Sequence, residues 1–301
     1  MSDISKHLGQ VSQYSSSYSP DILVRESRSP NRIAHNVVPD SFVGFDVWNI
    51  YEVSFLTDKG LPVVGYGKLI YPSSNEYIVE SKSLKLYFFS YNMEKMGENT
   101  DAAIDTVEQQ VVIDLSALLE VPVQFKFFKA HEEVVPYNPF QLTEDSKIPC
   151  KFKDIDTIDG IENIEFNDFV ENKELLVVNP FGKLYIHKAV KSCFLRSSCK
   201  ITHQPDWGDL YVYYKGPNLL DNKSLIQYIV SFRSEWHFHE EVCEMIYAAL
   251  YEVLQPAELM VSCLYTRRGG LDINPIRATH GYLLDQGLID INTVVQKTTR
   301  Q

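Results

Sequence analysis

No uninterrupted apolar run approaches the 18 to 20 residues that a bilayer crossing takes, so a membrane-spanning helix is not expected. Positive charge is scarce: 28 Lys and Arg face 40 Asp and Glu, a net charge of −12. Proteins that grip nucleic-acid backbones do so with clustered cations, so a general phosphate-backbone binder is excluded. Any anionic ligand must be held by a local cluster working against the overall field. Cysteine is sparse and odd in number, five residues without a C-x-x-C pair, which fits free thiols in a reducing cytosol rather than a disulfide framework. The first twenty residues are rich in Ser and Tyr but hold no continuous apolar stretch, which reads against a secretory signal. The glycine-rich dinucleotide fingerprint is missing as well. Gly65-Tyr66-Gly67 lacks the third glycine and lies in a strand-like run, where it reads as a close approach of backbones. A nicotinamide cofactor, if used, must be held in another way.

What is present suits a folded core: 45% hydrophobic residues, 23% charged, with 16 Phe and 18 Tyr. The first forty residues are polar and rich in Ser, and read as an extension that covers something or stays mobile. From Val47 to Tyr71 the chain alternates, broken by Asp58-Lys59-Gly60, which predicts two strands and a turn. Val107, Val111, Val112, Leu115, Leu118 and Leu119 have helical spacing, and Val121 to Phe128 alternates again. The second half repeats this order. Lys223 to Phe232 is laid out like Lys82 to Tyr91, with Lys, Ser, Leu, Tyr and Ser coinciding; Leu250 to Val253 is laid out like Leu118 to Val121. The register between the copies changes around Gly97 to Ala103, where a loop is expected. Asp209 to Tyr214 and Glu258 to Tyr265 read as strands. The expectation is an α+β chain with two copies of a strand-strand-helix-helix-strand-strand unit. Between them, Gln141 to Leu176 is acidic and too long for a plain connection; it reads as a structured linker with a solvated face.

Chemistry concentrates in a few segments. In Leu195-Arg-Ser-Ser-Cys199-Lys-Ile-Thr-His203-Gln-Pro-Asp206, a cysteine has Arg196, Lys200 and His203 within four residues. A cysteine attacks as thiolate, so positive charge and a proton carrier nearby suit a nucleophile. Asp206 follows a Gln-Pro turn that could fold it back beside the sulfur. The pattern alone is equally that of an inert buried cysteine. Cys193, between Val190 and Phe194, reads as core packing, and a zinc site from Cys193, Cys199 and His203 matches no standard spacing. In Trp236-His-Phe-His-Glu240, a strand would put His237 and His239 on one face, with Glu240 entering a helix N-terminus where the dipole favours a carboxylate. This is either a plain helix start or a carboxylate aimed at the amidine edge of a purine-like ring. Glu80-Ser-Lys-Ser-Leu-Lys85 and Arg267-Arg-Gly-Gly270 supply cations and glycines suited to phosphate, although the second also reads as a simple turn.

Taken together and in this order, Glu80 to Tyr87, Cys199 with Gln204-Pro-Asp-Trp207, Phe238-His-Glu240 and Arg267 to Asn274 resemble the NADPH-dependent 7-cyano-7-deazaguanine reductases of queuosine biosynthesis. The resemblance runs from about Tyr51 to Arg277 and is to the long form of that family. It implies tandem tunnelling-fold (T-fold) units, each an antiparallel sheet with two helices on one face, in a cytoplasmic homodimer. The chain then divides into an extension (1–40), a first unit (41–140), an acidic linker (141–180) and a second unit (181–301) carrying the cysteine. The resemblance makes Cys199 the nucleophile that forms a thioimide with the nitrile, and Asp206 the proton donor. It assigns Val79, Glu80, Ser81, His239 and Glu240 to the deazaguanine, and Ser81, Lys82, Arg268 and Gly269 to NADPH, used twice per turnover. No metal, nucleic-acid partner or membrane partner is implied. To donate a proton near neutral pH, Asp206 should be raised by burial or by the thiolate. The first copy has Val107-Glu108 where the second has His239-Glu240, so one complete site per chain is expected. Two rivals stay open: a T-fold hydrolase directed at a purine or pterin, and a non-catalytic purine-binding protein with Cys199 inert.

Overall fold

A short strand β1 (Arg25–Ser27) and a short helix α1 (Ser29–Ala34) precede the first long hairpin, β2 (Val43–Leu56) and β3 (Pro62–Pro72). The turn between them uses Gly60 at φ +84°, a conformation glycine adopts without Cβ strain. Then come β4 (Tyr77–Val79), α2 (Ser81–Ser90), α3 (Thr100–Leu119) and β5 (Gln124–Lys129). The loop expected over Gly97 to Ala103 is cut short, because the Asn99 side chain accepts from Ala102 N–H and starts α3 at Thr100. The second half runs β6 (Lys153–Asp154), β7 (Val178–Pro180), β8 (Ile186–Cys199), β9 (Pro205–Gly216), β10 (Asn218–Leu220), α4 (Asn222–Ser231), β11 (Trp236–His237), α5 (His239–Leu254), β12 (Glu258–Tyr265), β13 (Leu271–Ala278) and α6 (Gln286–Ile289). These coordinates are a computed structural model that describes residues 17–142, 146–181, 185–296 and 301. Most of the Ser-rich start, and with it the expectation of no secretory signal, lies outside them. Among the described residues no helix is long and apolar enough to cross a membrane.

One nine-stranded sheet runs through the molecule in the order β11-β8-β9-β12-β13-β2-β3-β5, with β6 also on β8. Its long neighbours are all antiparallel. The seam between the halves is β13 against β2, paired continuously from Leu271↔Ile50 to Ala278↔Val43. Helices α2 and α3 pack on one face of the first half through Leu84, Tyr87, Val107, Val111 and Leu115. Helices α4 and α5 do the same in the second half through Leu225, Ile229, Ile246 and Leu250. The opposite face is covered by irregular segments that bring Phe140, Phe152, Leu284 and Leu288 onto Val47, Tyr213 and Ile276.

The α+β class and the tandem units are as expected, and the repeat extends to single hydrogen bonds. Glu80 and Asp221 cap α2 and α4 with their carboxylates. Ser83 Oγ donates to Glu80 O at 2.8 Å, and Ser224 Oγ to Asp221 O at 2.9 Å. Val24 N–H and Val177 N–H donate to those two serines. The short pairs β1–β4 and β7–β10 correspond in the same way. The copies differ in one strand. The second unit has four long strands; the first has β2, β3 and β5, and among the described residues β5 pairs only with β3. After Lys129 the chain reads Ala-His-Glu-Glu-Val-Val-Pro, without strand alternation and with a proline, so the expected fourth strand does not form. Gly65 is close-packed as expected: a Cβ there would sit 2.0 Å from Phe128 O.

From Ser17 onward the polar start of the chain is packed rather than loose. Arg28 and Arg32 are buried, with Arg32 Nε 2.8 Å from Glu244 and Arg28 paired to Asp46 and 3.5 Å from Glu244. Arg277 on β13 completes the set, 2.8 Å from Asp46 and 2.9 Å from Glu244. Buried charges persist only when paired in this way.

Candidate active site

The placement of Cys199 follows from an irregularity. Along β8, Val190 faces the helix layer, and alternation would carry the even-numbered positions to that face. The β8–β9 register shifts between Ser192 and Leu195, a bulge that inserts one residue and reverses the parity. Leu195 joins the helix-side core, and Ser197 and Cys199 follow it to that face. Opposite Ser197 stands Asp206, on the same side as Leu210 and Val212. The bulge overturns the reading of Cys193 as core. It occupies the bulge itself and is exposed, and its N–H donates to Asp156.

A small cavity of about 40 Å³ opens beside Cys199. From the second unit it is lined by Cys199, Asp206, His239, Glu240 and Arg268. From the first it takes Val79 and Ser81, which arrive because β13 seams onto β2. Sequence reasoning singled out all seven. It missed Trp48, which reads in the sequence as an ordinary strand residue, and it gave no role to Ile273, His237 and Phe238, which also line the cavity although they lie within singled-out segments. Three assigned residues stand outside it. Glu80 turns its carboxylate to Lys82 N–H and Ser83 N–H at the start of α2. Lys82 and Gly269 lie beyond the cavity wall. A Cβ on Gly269 would be 3.4 Å from Lys85 Nζ, so Lys85 of α2 and the glycine turn meet. Gly269 and Gly270 both have positive φ, at +58° and +84°. Such a turn with Lys85 beside it, paired to Glu52 at 3.5 Å, suits a phosphate-bearing cofactor.

His239 opens α5 rather than ending a strand, with Phe238 N–H held by Glu241 at 2.9 Å. Its ring stacks on Tyr265 at 3.8 Å and 9°, and Nε2 lies 3.3 Å from Asp206 Oδ2. Arg268 pairs with the other Asp206 oxygen and donates to Gln204 Oε1 at 3.0 Å. Burial alone would raise the Asp206 carboxyl, but His239 and Arg268 outweigh it and hold the group below its ordinary value. The expectation of a raised Asp206 is therefore overturned. In the free protein it is an anion.

Glu240 is the opposite case. It is 2% exposed, and among the described residues its Oε1 has no hydrogen-bond partner. Burial, then the neighbouring Asp46 charge, lifts its carboxyl to about 8, against the opposing pull of Arg28 and Arg277. His237 is raised to about 9: burial works against the charge, but Glu235 at 2.8 Å and Glu241 prevail. The cations counted beside Cys199 in sequence go elsewhere. Lys200 pairs with Glu241, Arg196 donates to Arg233 O, and His203 packs edge-on against Trp236. In the first copy, Glu108 is spent on Phe127 N–H at 2.8 Å, so its carboxylate caps a strand rather than serving a site.

Among the described residues no group of three or more His, Cys, Asp or Glu is arranged to hold a metal ion. A larger cavity, about 420 Å³, lies across the sheet between Phe140, Phe152 and Leu284. Among the described residues its one carboxylate, the half-buried Asp285, is already engaged by Phe140 N–H and Leu288 N–H.

Two family models match the chain. Residues 14–127 match one described as nitrile reductase, 7-cyano-7-deazaguanine-reductase N-terminal part, and residues 205–282 match one described as QueF-like protein. The NADPH-dependent 7-cyano-7-deazaguanine reductase of Legionella pneumophila (strain Paris) is 38% identical over 280 residues, covering 92% of this chain and 91% of that protein. The protein of the same name from Acinetobacter baumannii (strain SDF) is 35% identical over 272 residues, 90% and 92% respectively. A solved structure of the archaeosine synthase QueF-Like in the apo form is 15% identical with a TM-score of 0.29, covering 33% of this chain and 97% of that one.

Proposed function

This chain belongs to the NADPH-dependent 7-cyano-7-deazaguanine reductases, and we propose that it works through a thioimide on Cys199, formed while Glu240 holds the deazaguanine ring. It is an oxidoreductase that reduces the nitrile of 7-cyano-7-deazaguanine at the expense of NADPH. The observation that carries the site reading is the unpartnered Glu240 oxygen in the cavity that also contains Cys199. An orphaned buried acceptor costs about 1–3 kcal/mol, which a ligand with matching N–H donors relieves. The amidine edge of a guanine-like ring presents such donors. Val79, Ser81 and the His239 ring, stacked on Tyr265, complete the ring's seat. Glu80 acts at one remove, by fixing the turn that presents Ser81.

Asp206 then acts in two directions. As an anion it takes the thiol proton when the Cys199 sulfur adds to the nitrile carbon. It returns that proton to the nitrogen, so the thioimide N–H forms without drawing on bulk water. Arg268 and His239 keep it ionised beforehand. Two NADPH, bound in turn, would each supply one hydride, which with two protons convert a nitrile to the aminomethyl group. Lys82, Arg268, Gly269 and Ser81 would hold it, in keeping with the positive-φ turn and Lys85 beside it.

The proposal includes a cytoplasmic homodimer; β5 ends the sheet, and among the described residues its outer side pairs with no further strand, with Phe127 N–H and Lys129 N–H taken by Glu108 and Glu132. It also treats 41–140 and 181–301 as the two units, with 1–40 and 141–180 as the straps that precede them. The first test mixes the protein with 7-cyano-7-deazaguanine without NADPH and reads intact mass. An adduct that disappears in Cys199→Ala is expected. Ligand binding without an adduct, or an adduct surviving in Cys199→Ala, sinks the thioimide.

A further inference from the structure

Glu240 does not stand alone beneath the cavity. Trp48, which lines it, shares a face of β2 with Asp46, two residues deeper, and Asp46 is wholly buried. Ile273 lines the cavity from β13, and Arg277 lies on the same face of that strand. Glu244 is one helical turn below Glu240 on α5. Into this layer the segment before the first hairpin inserts Arg28 and Arg32. The buried layer therefore holds three guanidinium groups and two carboxylates, Asp46 and Glu244, and an ionised Glu240 brings it to neutrality.

We infer that Arg28 is a positioning residue for substrate recognition: by cancelling the charge of Asp46, it lets Glu240 meet the donor edge of the ring as an anion. The inference rests on the Glu240 reading above and extends it to a part of the chain that touches no substrate. Arg28 pairs with Asp46 and reaches Glu244 at 3.5 Å, so one guanidinium ties the arm to β2 and α5. Asp46 is the neighbouring charge that most opposes ionisation of Glu240, and Arg28 the one that most favours it. Arg277 works in the same sense, and the buried Tyr71 phenol on β3 also feels the Glu240 charge. Arg32 faces the layer through Glu244. On the cavity side the charged neighbours are Asp206 with its partners His239 and Arg268, and His237 with Glu235 and Glu241.

The test measures KM for 7-cyano-7-deazaguanine and kcat across pH in the full-length protein. In the wild type, KM falls as pH rises through about 8, where Glu240 ionises. Arg28→Met is expected to move that midpoint up by about one pH unit, which raises KM about tenfold at neutral pH. At saturating substrate kcat stays close to wild type, and Arg28→Lys restores most of the affinity. Asp46→Asn, which removes the repelling charge, is expected to move the midpoint down and to recover affinity in the double variant with Arg28→Met. A KM that rises equally at every pH, or no rescue by Asp46→Asn, reduces Arg28 to a structural brace and overturns the inference. Should Arg28→Met fail to fold, Asp46→Asn alone decides by the direction of its midpoint. Glu240→Gln separates the two readings. If it leaves KM unchanged, the Glu240 reading itself fails. If it raises KM and abolishes the pH dependence while Arg28→Met shifts nothing, only the role of Arg28 falls.

Discussion

Two carboxylates share the cavity and are prepared for different tasks by what surrounds them. Asp206 has a guanidinium and an imidazole on its two oxygens and stays ionised; Glu240 has an empty side and is reluctant to ionise. Replacing Asp206 by Asn removes the proton carrier with little change in shape. Adduct formation should slow by about 10²-fold or more, followed by stopped-flow absorbance, while ligand affinity is retained. Arg268→Met should do something subtler. With the cation gone, burial and His239 alone act on Asp206, its carboxyl rises, and the rate of adduct formation becomes more sensitive to acid; an unchanged pH profile would contradict the assignment. The roles of Cys199 and Glu240 were legible in their motifs only through the family likeness, since local pattern could not separate a nucleophile from an inert thiol. The charge of Asp206 was not legible at all. Its partner Arg268 is 62 positions away, and only the β9–β12 pairing brings the two together.

At the scale of elements, the bulge in β8 decides which face the nucleophile occupies. A matching irregularity lies in β2 between Ile50 and Val53, so both hairpins switch parity before the strand ends. Deleting Cys193 should restore plain alternation and turn Cys199 to the other face of the sheet. The expected result is loss of adduct with ligand binding retained through α5, read by mass and by calorimetry. The sequence carries no mark of this bulge, because Ser192, Cys193 and Phe194 suit a regular strand as well as an irregular one. The first hairpin, β9, α3 and β12 were legible from period alone. The missing fourth strand was not, because the repeat suggested symmetry where local composition after Lys129 opposed it. Gly65 offers a direct check on β3 packing. Gly65→Val should cost about 1–3 kcal/mol or more, seen as a lower thermal midpoint, since the new Cβ meets a backbone oxygen.

For the whole molecule, α5 links stability to pH in two senses. Glu244, held among three arginines, is depressed from 4.5 to about 2, so its contribution is present above pH 4.5 and is lost as pH falls toward 2. Glu240, raised from 4.5 to about 8, favours the fold below pH 4.5 and loses that advantage as pH rises through 8. Melting temperature in the absence of ligand should therefore fall on both sides, and Glu240→Gln should flatten the alkaline limb only. Glu244→Gln should flatten the acid limb at a cost of about 3–5 kcal/mol, because it leaves buried arginines without their partner.

The seam of β13 on β2 has a historical consequence. Two copies of one unit normally insure each other, since damage to one leaves the other able to serve. Here the second copy has kept the cysteine and the helix that opens with His239 and Glu240, while the first supplies the helix whose Lys85 meets the Gly269 turn and has bound its own glutamate to Phe127. Once the copies specialised in this way, neither could be lost or revert without the other. The duplication ceased to be a reserve and became a dependency, and selection now acts on the pair as on a single gene product with one indivisible task.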